Sequence, residues 1–174
     1  MPPSKHIEEQ GRHRVIGPRG ILGFLLIGTL IILGSGCSDE NIDDENFLSD
    51  AHLAVKEAYG DYYLPSVSVN GEEFEERFGI DLDDVESFIA EVPMMSIHMD
   101  VFVGIKAKPD KVDVISTLLE GYRREKMANR DQLPSNQKKL SSSEIYITGD
   151  YVFLLILGES DNEIASGAIK ALNN

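Results

Sequence analysis

The chain has 174 residues and a formal net charge of −14, room for one modest domain and a targeting segment. Its 16 basic residues face 30 acidic ones, a balance that repels nucleic-acid phosphates and anionic lipid headgroups. The single cysteine excludes an intramolecular disulfide, a multi-cysteine zinc site and a CxxC redox pair, and the absence of tryptophan weakens any case for a sugar-stacking platform.

Arg19 and Asp39 enclose nineteen uncharged residues, GILGFLLIGTLIILGSGCS. The apolar run from Ile21 to Leu33 follows Lys5, Arg12, Arg14 and Arg19 and precedes Gly34, Ser35 and Gly36. Positive, apolar and small-residue parts in that order make a secretory signal. With Cys37 next, the arrangement resembles a bacterial lipobox. That resemblance implies diacylglycerol on the Cys37 sulfur and cleavage of the Gly36–Cys37 bond, with residues 1–36 removed. Gly34 stands where a lipobox usually has Leu, and a run this long also fits an uncleaved transmembrane anchor. Both readings face the rest of the chain outward, since bases flank the run on one side and acids on the other. The expected location is the outer face of the cytoplasmic membrane, where two or three acyl chains hold durably and one does not.

Residues 38–46, SDENIDDEN, hold five acids in nine positions and read with Cys37 as a self-repelling tether over 37–46. Its reach is up to ~30 Å at ~3.3 Å per residue. A calcium loop of the EF-hand kind would need a glycine at its sixth position, which is missing. The remainder, 47–174, reads as one extracytoplasmic domain. Residues 1–36 hold four of the bases and two of the acids, so the rest of the chain carries 12 bases against 28 acids, a net of −16.

Ser49 to Gly60 predicts a short helix, and Asn70, Glu73 and Gly79 frame a second. In DLDDVESFIAEVP, Val85, Phe88 and Ile89 share a helical face before Pro93, which predicts a third helix. From Met95 to Ala107 the odd positions are all apolar and the even ones mostly polar, the pattern of a half-buried strand. Val112, Ile115, Leu118, Leu119 and Tyr122 then fall at helical spacing. Residues 144–157 predict two strands about Gly149 and Asp150, the second apolar throughout from Tyr151 to Leu157 and so covered on both faces. Ser160 and Glu163 form a capping box for a last helix to about Leu172. The expected fold is α+β: a three-stranded split β-α-β sheet of order 1-3-2, helices packed on it, preceded by short helices.

The lipobox-like Cys37, the acidic tether, YLPS (63–66), FGID (78–81), VPMM (92–95), the alternating strand, the helix and the late hairpin follow in that order. The series resembles a family of bacterial, mainly Gram-positive, lipoproteins defined by domain of unknown function 4358, over about Ala51 to Leu172. The resemblance implies export and membrane attachment and supplies no activity or catalytic residues.

MMSIHMD (94–100) offers Met94, Met95, His98 and Met99 as soft ligands for copper(I). On a strand, Met95 and Met99 face one way and Met94 and His98 the other, which leaves only Met94 and His98 as a remnant metal pair and sends the other two methionines to the core. Asp100 shares the expected face of His98. Between Asn70 and Glu86, the acids Glu72, Glu73, Glu75, Glu76, Asp83 and Asp84 suit calcium, a basic partner, or simply the solvated side of two helices. Arg123, Arg124, Lys126, Arg130, Lys138 and Lys139 form a contrasting basic zone at the surface. After Cys37 only His52 and His98 remain, so HExxH and three-histidine zinc are excluded, and GxSxG, GxxxxGK and GxGxxG do not occur. The expectation is a non-catalytic binding or accessory lipoprotein with no cofactor, an envelope protein as its kind of partner, and calcium or copper binding as the alternative.

Overall fold

A computed structural model describes residues 46–129, 131–158 and 163–172. The expectations for the signal segment, Gly36, Cys37, the tether up to residue 45, Arg130 and Ser160 lie outside these residues.

Helix α1 (Phe47–Tyr59) buries Phe47, Leu48, Ala51, Val55 and Tyr59, a stripe with the period of a helix. A 3-10 turn at Gly60–Tyr62 leads to strand β1 (Pro65–Ser68). In α2 (Gly71–Phe78) the Asn70 side chain accepts the Glu73 N–H at 3.0 Å, and Gly79 closes the helix with a φ of 68° that suits glycine. A second 3-10 turn, Leu82–Asp84, opens strand β2 (Val85–Pro93), which is joined to β3 (Val101–Ala107) by residues 94–100. Helices α3 (Val112–Ala128) and α4 (Pro134–Ser142) follow, then the hairpin β4 (Glu144–Thr148) and β5 (Tyr151–Ile156), and α5 (Glu163–Ala171).

The strands form one sheet in the order β1-β2-β3-β5-β4, with every neighbouring pair antiparallel. The expected three-stranded sheet of order 1-3-2 is thereby overturned. Val85–Pro93 is a strand and not the third helix, because Phe88 and Ile89 go to opposite faces: Phe88 stacks on Phe74 at 4.1 Å, and Ile89 packs with the α1 side. The strand predicted from Met95 is also shorter, beginning only at Val101.

Helices cover both faces. On one, Phe74, Phe78, Ile115, Leu119, Tyr122 and Leu140 from α2, α3 and α4 meet Val101, Val103, Ile105, Val152, Leu154 and Ile156. On the other, α1 and α5 cover Phe102, Tyr151, Phe153 and Leu155. Side chains alternate across a strand, so a strand buried on both faces is apolar at every position. Gly104 lets α1 come close: a Cβ there would sit 2.9 Å from the Phe153 ring and 3.2 Å from Leu48.

Candidate functional site

The ends of β2 and β3 are joined by a connector whose apolar side chains stand in solvent: Met94 is 79% exposed, Met95 56% and Ile97 57%. The His98 N–H donates to the Met95 carbonyl at 3.1 Å, so the backbone turns here and does not extend. One face of α4 holds the connector in place. Asn136 Nδ2 donates to the Ile97 carbonyl at 2.8 Å, and one helical turn on Lys139 Nζ donates to both Asp100 oxygens at 2.8 and 2.9 Å. Asp100 is fully buried, and burial pushes its carboxyl above the usual aspartate value against the pull of Lys139 and His98.

Two clefts flank this connector. The first, about 670 Å³, is bordered by Met94, His98, Met99, Arg77, Tyr122 and Lys126. Lys126 Nζ lies 4.9 Å from the Tyr122 ring centre, and Gln132 Nε2 donates to the Lys126 carbonyl at 2.8 Å. That bond leaves Gln132 Oε1 buried with no partner, an acceptor beside the cleft. The second, about 580 Å³, is bordered by Tyr59, Tyr62, Leu64 and Ile164, with Asp61, Ser135, Lys139 and His98 as its polar groups. His98 borders both.

A separate polar cluster lies on the α1 side. The Tyr63 hydroxyl donates to Glu91 Oε2 at 3.1 Å, while Lys56 Nζ stands 3.8 Å from Glu91 Oε1. His52 Nε2 is 3.0 Å from the same Oε2, although the ring is not aligned as a hydrogen bond. Burial, then the Glu91 charge, pushes the Tyr63 phenol far above the tyrosine range, so it stays protonated and keeps donating. This cluster ties α1 and the segment after it to β2.

The sequence-derived candidates separate accordingly. Met94, His98 and Met99 border one cleft, which corrects the strand argument that set them on opposite faces. The acids do not converge. Glu73 pairs with Arg77 at 2.6 Å, Glu75 accepts the Leu82 N–H at 3.0 Å, and Asp84 pairs with Lys111 at 2.6 Å. Glu72, Glu76 and Asp83 are exposed. Among the described residues no three His, Cys, Asp or Glu side chains are grouped to hold a metal ion. Much of the basic zone is balanced by the acids of α3 itself, Arg123 and Arg124 by Glu120 and Lys126 by Glu125. Lys139, expected at the surface, is buried instead. Its spacing with Asn136 and Leu140 on one helical face was the available signal.

Residues 58–157 match the family described as Domain of unknown function (DUF4358). The chain belongs to that family. No curated protein and no solved structure matches it. The DUF4358 segment starts in α1 and ends just past β5, so it takes in the connector, the Asp100–Lys139 pair, Tyr63 and Glu91 of the α1-side cluster, and every border of the second cleft except Gly158 and Ile164. No helix among the described residues is long and apolar enough to cross a membrane.

Proposed function

We propose that the chain is a lipid-anchored, extracytoplasmic binding module without catalytic activity. It is held by Cys37 to the outer face of the cytoplasmic membrane and works through the end of the domain that carries the two clefts. One observation carries this reading. Phe47, the first residue of α1, lies 4.6 Å from Tyr151 at the β4–β5 turn, whereas Tyr59, its last, borders the second cleft. A helix of 13 residues spans about 20 Å at 1.5 Å per residue. The described chain therefore begins at the end of the sheet opposite the clefts, which leaves the connector clear of the point where the domain starts.

The anchor is tested by Cys37→Ser in cells supplied with a labelled fatty acid. The expected result is loss of label and an unprocessed amino terminus; a variant that is labelled and cleaved like the parent overturns the lipobox. The binding role is tested by cross-linking the anchored protein in its own envelope, where one dominant partner is expected and measurable turnover of an envelope substrate by the purified chain overturns it.

The place of Met94, His98 and Met99 on the border of one cleft favours a second reading, a copper(I) site, whereas the acids expected for calcium are engaged by their own neighbours or dispersed. Two thioethers and an imidazole are soft ligands suited to copper(I). Titration of the full chain with copper(I) against a chromophoric competitor should then show one site, weakened at least about tenfold, or about 1.4 kcal/mol, in His98→Ala. Equal retention of copper by parent and variant retires this reading.

A further inference from the structure

The second cleft is assembled from the ends of five pieces of chain that meet only in the folded domain. Tyr59 closes α1, Tyr62 and Leu64 follow it, His98 comes from the connector, Ser135 and Lys139 from α4, and Ile164 from the start of α5. Its walls are aromatic and aliphatic, and its polar groups are few. At about 580 Å³ it falls in the range that encloses small organic ligands, roughly 300–1,000 Å³.

The charges within it decide the ligand class. Lys139 has three N–H donors and gives two to the Asp100 oxygens at 2.8 and 2.9 Å, so the ammonium charge is cancelled while a third donor remains. Ser135 adds a hydroxyl beside it. An anion would find Lys139 already neutralised, would pass Asp61 at the border, and would face a domain with nearly twice as many acids as bases. An ammonium head carries donors only and has no lone pair to accept from the remaining Lys139 N–H. What these borders complement is an apolar body ending in a neutral hydrogen-bond acceptor. We propose that the cleft bordered by Tyr62, Leu64, Ser135, Lys139 and Ile164 binds an uncharged amphiphile, a short hydrocarbon or aromatic body with a carbonyl-type acceptor such as an acyl amide or ester. The inference rests on the binding-module reading for its purpose and is independent of how the chain is anchored.

The test is photo-labelling of the full chain in its own membranes, with an N-alkyl decanamide carrying a diazirine in the acyl chain as probe. Label is expected on the peptides that hold Tyr62 and Ile164, and unlabelled decanamide should displace it. Decanoate and decylamine should need at least about tenfold more for the same displacement, the equivalent of about 1.4 kcal/mol. Ile164→Glu and Leu64→Glu should abolish labelling; both side chains reach solvent, so circular dichroism of each variant should match the parent. Ser135→Ala should raise the displacing concentration several-fold. Label scattered over the surface, label retained in Ile164→Glu, or decanoate competing as well as decanamide each overturn the proposal. Cys37→Ser is labelled in parallel: loss of the fatty-acid anchor with unchanged photo-labelling is expected if both readings stand, and a variant still anchored but still photo-labelled breaks the anchor reading alone.

Discussion

Asp100 and Glu91 are both buried acids near the β2–β3 connector, and their surroundings differ in kind. Asp100 meets one cation, Lys139, through both oxygens. Glu91 is shared among Tyr63, His52 and Lys56, three groups with partial access to water. The helices they secure differ too. Helix α1 has a full apolar stripe and would find its place without Glu91, whereas α4 buries only Asn136, Lys139 and Leu140. The Asp100–Lys139 pair therefore joins the Asn136 bond and the burial of Leu140 in positioning α4 against the connector, while the Glu91 cluster reinforces a helix already fixed by packing.

The largest effect that would break this comparison is Lys139→Ala. It leaves Asp100 buried and unpaired, and should cost about 3–5 kcal/mol in urea unfolding. A loss below about 1 kcal/mol would make the two acids equivalent. Glu91→Gln should cost less, about 1–3 kcal/mol by the same measurement, because the amide oxygen still accepts from Tyr63. Asp100→Leu combined with Lys139→Met removes both charges together, and should restore stability to within about 1 kcal/mol of the parent or above it. A double variant as unstable as Lys139→Ala would mean the site depends on polarity and not on pairing.

The smallest effect is in pH. Burial raises the Asp100 carboxyl above its ordinary 3.8, so the folded state holds that proton more tightly than the unfolded one. The resulting stabilisation is complete below 3.8 and is lost as pH rises through the raised value. Asp100→Asn should remove this segment of the stability profile, read from urea unfolding between acid and neutral pH. An unchanged profile would assign the slope to other groups.

Where the local signals were chemical, the elements were legible. Asn70, Glu73 and Gly79 marked both ends of α2, and an unbroken apolar run marked β5 as covered on both faces. Where two periods overlapped, they were not. Val85, Phe88 and Ile89 suit a helix by spacing, but β2 is buried towards both faces and so shows no clean alternation. Met95, Ile97 and Met99 alternate like a strand, but Asn136 takes the Ile97 carbonyl and the backbone turns at His98. Helix α4 carries so few apolar residues that no stripe announced it. Of the clefts, His98, Met94 and Met99 stood out in the sequence as candidate ligands, and Lys126 and Lys139 only as members of a basic zone. The others come from stretches as far apart as Tyr59 and Ile164 and are neighbours only once the sheet has formed.

Helices α1 and α5 share one core, Ala51 and Val55 packing in the same cluster as Ala165 and Ile169. The oldest and youngest parts of the domain thus complete each other. A chain emerging amino terminus first must leave the α5-facing side of α1 uncovered until Glu163–Ala171 has followed it. Maturation of this face therefore waits on α5, and any product cut short before Glu163 is left with an apolar flank on α1.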